Sequence, residues 1–320
     1  MGELAFVFVS ENVSRGVCVF GNRSQKCKER YFMNYEQFIC AMLECTKGKL
    51  SEAETVEKQE IMKNNGVISV GLSIRRAGKN IAPIIYLEEF YKKYLLGASV
   101  ETLSEFLIQK SRSTSDVSIC NYDEILDFSK IKKQVVYKII NAKMNETLLR
   151  TVPNLPVLDF AIVFYWMIPT GDAEYGSVMI RNEHMNLWKL PISLLYQCAK
   201  ENTPRLCPYI FSSLTEYLEQ RTGEVIEGSP LYILSNEMGI NGATALLYPG
   251  MPGKIYESIK SNYYLLPSSV HEFLVVPETP LVDPENLRMM VKEVNETQIE
   301  DEELLSDHIY YFDGKIITKM

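Results

Sequence analysis

The sequence is short of the features that announce an unusual environment. It has three histidines, two tryptophans and no Cys-x-x-Cys pair in 320 residues. No apolar run reaches the ~18 residues needed to cross a bilayer. The nearest approach, Leu155 to Ile168, is short and contains Asp159, so no membrane span is expected. With 17 Gly and 14 Pro, collagen-like and low-complexity architectures are excluded. A basic excess is missing too: 33 Lys and Arg against 41 Asp and Glu leave a net charge of −8 and a pI near 5.2. Nucleic-acid binding needs a basic footprint and is not expected on that balance, with Lys26, Lys28 and Arg30 the densest basic cluster.

What is present describes a folded globular chain. Hydrophobic residues make up 46% and charged residues 23%, a balance that excludes whole-chain disorder. The 7 cysteines form an odd set without metal-ligand spacing, which reads as free thiols in a reducing compartment. Leu4 to Val9 is apolar, but no basic residue precedes it and no small-residue cleavage site follows, so it does not read as a secretory signal. A cytoplasmic location is the expectation.

The pattern divides the chain into four stretches. Residues 1–32 differ in texture, and Met33 reads as the natural start with the leader an upstream extension; the alternative is an N-terminal hairpin. Residues 33–112 open with a helix carrying Tyr35, Phe38, Ile39, Met42 and Leu43. Strands follow over Val56–Met62, Val67–Ile74 and Ile81–Tyr86, separated by Asn64-Asn65-Gly66 and Gly78-Lys79-Asn80. Pro83 places the third at an edge. Helices are predicted over Leu87–Leu96 and, capped by Ser99, to about Lys110, with Ser111–Ser118 as a connector.

Residues 113–228 carry a short helix near Tyr122–Phe128, a strand over Val135–Ile140 and a helix near Lys143–Arg150. A turn at Pro153-Asn154-Leu155-Pro156 leads into Leu158–Ile168, a strand apolar on both faces. Pro169-Thr170-Gly171-Asp172 turns the chain into a hairpin partner, Gly176–Arg181, and two helices follow, Glu183–Trp188 and Ile192–Asn202. Residues 229–320 alternate strands (Leu231–Leu234, Tyr263–Leu266, Phe273–Val276) with helices at Gly242–Tyr248, Pro252–Lys260 and from Pro284 to about Asn295. Glu300–Glu303 reads as a solvated helix start, and Asp313-Gly314 joins a terminal hairpin. The fold class is α+β, with mixed, mostly antiparallel sheets and packed helices.

Several segments resemble one family. They are Lys63-Asn64-Asn65-Gly66-Val67 with Leu72-x-Ile74 and Asn80-Ile81-x-Pro83; Val152-Pro153 leading to Leu158-Asp159-x-Ala161; and Asn182-Glu183-His184 with Glu201-Asn202-Thr203-Pro204-Arg205. The strongest runs from Gly242-Ala243 through Leu247-Tyr248-Pro249-Gly250 and Leu266-Pro267-Ser268-Ser269-Val270-His271-Glu272 to Val294-Asn295 and Leu305-Ser306-Asp307. Over about residues 33–320 the chain resembles a bacterial family of uncharacterised proteins, associated chiefly with anaerobic gut Firmicutes and known only as a domain of unknown function. The resemblance implies a shared fold and a cytoplasmic bacterial protein, and implies no activity.

The most suggestive chemistry is Ser268, Ser269, His271 and Glu272. On a strand, Ser269 and His271 share a face, so a hydroxyl and an imidazole can approach each other, with Asp307 or Glu272 to orient the ring. No Gly-x-Ser-x-Gly elbow surrounds either serine. The structural alternative has the serines bonding backbone at a turn. His184, His271 and His308 belong to no His-Glu-x-x-His, so no metal is expected, and no glycine-rich phosphate loop is present. Gly242-Ala243-x-Ala245 reads instead as close packing of a helix on a sheet.

The expected role is a binding or regulatory module without a cofactor, any binding surface falling in the C-terminal stretch. The alternative is a hydrolase using Ser268 or Ser269 with His271. With 19 Tyr and 13 Phe available, a protein partner remains one reading of the surface.

Overall fold

The computed structural model describes residues 32–78, 82–116, 126–169, 175–222 and 231–320. The leader up to residue 31, the turn at Lys79-Asn80, the helix start near Tyr122 and the turn after Pro169 lie outside them. Helix α1 (Tyr35–Lys47) starts at Asn34, whose side chain accepts the Gln37 amide at 2.9 Å while Gln37 Oε1 accepts the Asn34 amide at 3.1 Å. This reciprocal cap fixes the helix N-terminus. Strands β1 (Glu54–Met62) and β2 (Ile68–Arg76) pair antiparallel around Asn65 and Gly66, both at positive φ (58° and 74°). Strand β3 (Ile84–Tyr86) takes the outer edge of β2.

Helices α2 (Glu88–Leu95) and α3 (Val100–Asp116) complete the N-terminal core, in which Phe38 and Met42 meet Leu72, Phe90 and Leu107. Helix α3 runs past its expected end at Lys110. Ser113 Oγ donates back to the Lys110 carbonyl at 3.0 Å, so a hydroxyl that competes with helix geometry elsewhere is absorbed within it. Arg112 also holds the buried Glu54 carboxylate at 2.8 Å, which brings that carboxyl down to about 2.

Helix α4 (Phe128–Ile131) leads to β4 (Val135–Asn141), followed by the short helix α5 (Glu146–Leu149). The expected turn at Pro153–Pro156 is instead largely strand: β5 (Asn154–Val157) pairs with β6 (Phe160–Pro169) across Leu158, which stands at φ 53°. An edge position leaves Pro156 without a ladder bond to donate. Strand β7 (Tyr175–Met179) extends the same side of β6, and β4 occupies the other.

Helices α6 (Asn182–Trp188) and α7 (Ile192–Leu206) follow. Strand β8 (Tyr209–Ser213) and helix α8 (Leu214–Thr222) have no counterpart in the sequence reading. Then come β9 (Tyr232–Asn236), a 3-10 helix over Gly242–Leu247, α9 (Met251–Ile259), β10 (Tyr263–Ser269), β11 (Glu272–Pro277), α10 (Pro284–Thr297), β12 (Tyr310–Phe312) and β13 (Ile317–Lys319). The third sheet has the order β13-β12-β10-β11-β9-β8, so it takes in a strand upstream of residue 229.

The second and third sheets share one core. Tyr137, Phe160, Phe164 and Trp166 face Tyr263, Phe273 and Tyr310, and the small residues Ala243 and Ala245 let the 3-10 helix enter between them. Full burial of each such aromatic contributes roughly 2–3 kcal/mol. Helix α10 covers the outer face of the third sheet through Leu287 and Val291. No helix among the described residues is long and apolar enough to cross a membrane. The chain is α+β with antiparallel pairing in each sheet.

Candidate functional site

The β10–β11 turn shows what the C-terminal serines do. Ser269 Oγ accepts the backbone N–H of His271 at 3.0 Å, and Ser268 Oγ donates to Glu272 Oε1 at 3.3 Å. The His271 ring is engaged elsewhere. Its Nδ1 accepts the Asn241 backbone N–H at 3.1 Å, which leaves the neutral ring's proton on Nε2, 3.4 Å from Glu303 Oε1. The His271 hydrogen bond holds the Glu303 carboxyl below its ordinary range. Neither serine hydroxyl is among the ring's hydrogen-bond partners.

Asp307 does not orient His271 either; it is exposed and accepts from Asn295 Nδ2 at 2.8 Å. The ring's carboxylate neighbour is Glu303, in the run expected to begin a helix. That run is a turn, because its backbone is bound from outside: Val270 N–H donates to the Glu303 carbonyl at 2.8 Å.

Ser306 and His308 repeat the backbone part of this device, but here the ring's Nδ1 also lies 3.3 Å from Ser306 Oγ and 3.2 Å from Asp159 Oδ2. Ser306 Oγ accepts the His308 backbone N–H at 3.1 Å and lies 3.1 Å from Asp159 Oδ2, while Tyr310 Oη donates to Asp159 Oδ1 at 2.6 Å. The spacing Ser-x-His thus recurs because a hydroxyl caps the amide two residues on. Ser306 is buried, and Asp159 sits in the tight β5–β6 turn, so this cluster clamps that turn to the terminal hairpin. His184 stands apart, stacked on Trp188 with centroids 5.5 Å apart. Among the described residues, no group of three or more His, Cys, Asp or Glu side chains is arranged to hold a metal ion.

Other polar residues in the familiar segments also act as fasteners. Asn145 Oδ1 accepts the Asn65 backbone N–H at 2.8 Å, and its Nδ2 reaches Asn65 Oδ1 at 2.8 Å. Asn202 Nδ2 donates to the Val135 carbonyl at 2.9 Å. Thr203 and Thr244 hydroxyls accept the β4 amides of Tyr137 (3.0 Å) and Ile139 (3.2 Å). Helix α7 therefore does not exit at Asn202; the side chains that would end it are bonded across to β4. Gly242 packs directly on Ser235 and the His271 carbonyl, leaving no room for a Cβ.

Lys138 breaks this pattern. Strand β4 reads Val135-Val136-Tyr137-Lys138-Ile139-Ile140, and every residue of that run except Lys138 is buried and apolar or aromatic. Its side chain shares the sheet face of Val136, Ile140, Tyr165 and Met167. The amine lies 4.2 Å from the centre of the Tyr165 ring and has no hydrogen-bond or ion-pair partner among the described residues. Protein packed around this half-buried side chain brings the amine down to about 8 through desolvation, with the Glu302 charge pulling the other way. Lys138, Tyr165, Met167, Cys207, Asn236 and Met238 line a cavity of about 190 Å³. Asn236 is buried, and its Oδ1 has no hydrogen-bond partner while its Nδ2 donates to the Ile240 carbonyl at 2.9 Å. The sequence signal for this site is a single lysine interrupting an apolar strand, a signal the search for catalytic motifs passes over.

A larger open groove of about 690 Å³ lies between α7 and α9, bordered by Pro208, Tyr209, Tyr248 and Lys254. Lys254 there sits over the Tyr209 ring at 5.4 Å, and no unpartnered buried side chain lines the groove. The smaller cavity is the better built of the two.

A family model for a family of unknown function, DUF5688, matches residues 35–314. No curated protein and no solved structure matches the chain.

Proposed function

The chain belongs to the family of unknown function DUF5688, and from that premise we propose that it is a cytoplasmic binding module for a small molecule, held in the Lys138 cavity. One observation carries the reading: Lys138, whose amine has no hydrogen-bond or ion-pair partner among the described residues, lines a cavity together with the buried residues Asn236, Met167 and Cys207. Buried polar groups ordinarily find partners, and those left without one in a cavity mark where a ligand supplies it. The cytoplasmic part is supported by Cys40, Cys45, Cys198 and Cys207, all unbridged.

The hydrolase reading finds no support at His271, where backbone and Glu303 occupy both ring nitrogens. Two measurements test the proposal. A chemically mixed fragment library is screened by NMR on methyl-labelled methionine protein, and ligands are expected to move the Met167 and Met238 resonances. A library that moves neither would overturn it. Fluorophosphonate treatment is expected to leave the protein unmodified; labelling lost in Ser268→Ala or Ser269→Ala would restore the serine hydrolase.

A further inference from the structure

One wall of the Lys138 cavity is a loop, residues 237–241, between β9 and the 3-10 helix. Met238, Ile240 and Asn241 all line the space. Ile240 is 58% exposed, and Gly239 and Asn241 stand at positive φ, 66° and 52°. Hydrogen bonds rather than a buried apolar side chain therefore hold this half of the loop. Glu237 N–H donates to the Pro208 carbonyl at 2.9 Å, Asn236 Nδ2 to the Ile240 carbonyl at 2.9 Å, and Asn241 N–H to His271 Nδ1 at 3.1 Å. Of these bonds, only the last has a partner of the type that changes charge near neutral pH.

A backbone N–H only donates, so that bond requires an unprotonated Nδ1. The ring proton is then on Nε2, facing Glu303 Oε1 at 3.4 Å. The histidine backbone is pinned: Ser269 Oγ takes its N–H at 3.0 Å, Ser235 Oγ donates to its carbonyl at 2.9 Å, and Gly242 packs against that carbonyl. A proton on Nδ1 sets two donors against each other, and the loop is the part left to move. The ring is open to water, with 28% of its side chain exposed.

The charges around the ring are few. Glu303 is held below its ordinary range and stays a carboxylate across the histidine range. Lys63 and Lys92 act on Glu303 from the β1–β2 turn and α2, and they pair with Glu302 (3.0 Å) and Glu300 (3.7 Å). Glu272 accepts from Ser268, Glu237 is exposed, and the 3-10 helix has no titratable side chain.

We infer that His271 is a pH-operated latch on this loop: the neutral ring holds the cavity wall closed, and the protonated ring releases it. That the latch governs a ligand rests on the reading above; the latch itself does not. The closed loop needs the unprotonated ring, so it is favoured as pH rises and lost as pH falls. Glu303 favours charge on the ring and the Asn241 amide favours neutrality, so the two partners pull in opposite directions.

The test follows the full chain, with 15N-histidine and methyl-labelled methionine, from about pH 8 to about pH 5.5. At the upper end the His271 nitrogens are expected to show the Nε2–H tautomer. As the ring takes its proton, the Met238 methyl and the Asn241 amide are expected to shift with the same midpoint. Hydrogen exchange at Asn241, corrected for its intrinsic pH dependence, should accelerate at least about tenfold. His271→Asn supplies an acceptor that does not titrate, so both signals should lose their pH response and exchange should stay slow. Glu303→Gln keeps the loop bond and removes the charge, so the midpoint should fall by at least about 0.5 pH unit. An Nδ1–H tautomer at pH 8, a loop indifferent to the ring's ionisation, or a response that persists in His271→Asn would overturn the latch. The tautomer and the wild-type midpoints decide the matter if either variant fails to fold. Fragments that move Met167 and Met238 at pH 8 are then titrated at the acid end, where binding is expected to be at least about tenfold weaker. Undiminished binding with the loop released would show that the latch does not govern the site. A library that moves neither methyl defeats the cavity reading alone, because the loop measurements need no ligand.

Discussion

An ammonium set among Val136, Ile140 and Tyr165 gives up much of its hydration, and the amine of Lys138 falls from 10.5 to about 8 as a result. The unfolded chain therefore holds this proton more tightly than the folded one. Below about pH 8 both states are protonated and the folded state carries the full desolvation penalty; stability recovers as pH rises from 8 through 10.5. Lys138→Met, close in length and free of charge, is expected to stabilise the protein at pH 7 by about 2–3 kcal/mol. The gap between variant and wild type should close as denaturant melts are repeated from pH 8 to 10.5. A variant less stable than wild type at pH 7 would mean the ammonium is paired in solution. A side chain that costs stability while serving no packing need is the profile of a functional residue.

The same residue scale explains what the sequence conveyed wrongly. Ser269 and His271 do share a locality, but the hydroxyl meets the backbone amide of the histidine rather than its ring. Ser306 caps the His308 amide in the same way, while its hydroxyl also lies 3.3 Å from that ring's Nδ1. Two-residue spacing favours this bond over a nucleophile–base contact, because the amide two positions on is already within reach of the serine oxygen. Lys138 was illegible for another reason: burial of a single charge depends on which elements close over it, which is not a local property.

At the level of elements, β4 is the outer strand of its sheet, and an unpaired edge exposes a row of amides. Among the described residues no further strand caps it; the hydroxyls of Thr203 and Thr244 accept from Tyr137 and Ile139 instead. Thr244→Val keeps the shape and removes the acceptor, leaving the Ile139 N–H buried and unsatisfied. A loss of about 1–3 kcal/mol is expected, with faster hydrogen exchange at the Ile139 amide and recovery of most of the loss in Thr244→Ser. Unchanged exchange would show that another group takes the bond.

These elements also mark how far sequence patterning reaches. Helices α1 and α10 were legible because a clear apolar period marks the first and a proline at its opening position, Pro284, marks the second. Helix α7 was read short because Asn202-Thr203-Pro204 resembles an exit. Pro204 lies only two residues before the helix ends at Leu206, and both polar side chains bond to α4–β4 partners or within the helix. Strand β5 was hidden by Pro156 and the preceding Pro153, which suit an edge as readily as a turn.

On the scale of the molecule, the segment from Glu300 to His308 joins all three sheets. Asn64 and Asn65 reach it from the β1–β2 turn, donating to the carbonyls of Glu302, Asp301 and Leu304 at 2.7 Å each. Asn141 reaches it from the second sheet through the Leu305 carbonyl at 3.0 Å, and His271 from the third through Glu303. Lys63 adds an ion pair with Glu302 at 3.0 Å. The N-terminal core is otherwise separate in its packing, since its buried residues form a cluster of their own.

The coupling of that unit to the rest therefore concentrates in a few side-chain amides, of which Asn65 makes the most bonds. Its backbone stands at φ 58°, a conformation glycine adopts without strain, so Asn65→Gly removes the side chain and leaves the turn geometry intact. The expected result is a loss of about 2–3 kcal/mol confined to the junction: thermal unfolding separates into two transitions, and protease cleavage begins near the 300–308 segment while the apolar cores stay protected. A single cooperative transition at an unchanged midpoint would mean that apolar contact, rather than this amide network, holds the N-terminal unit in place.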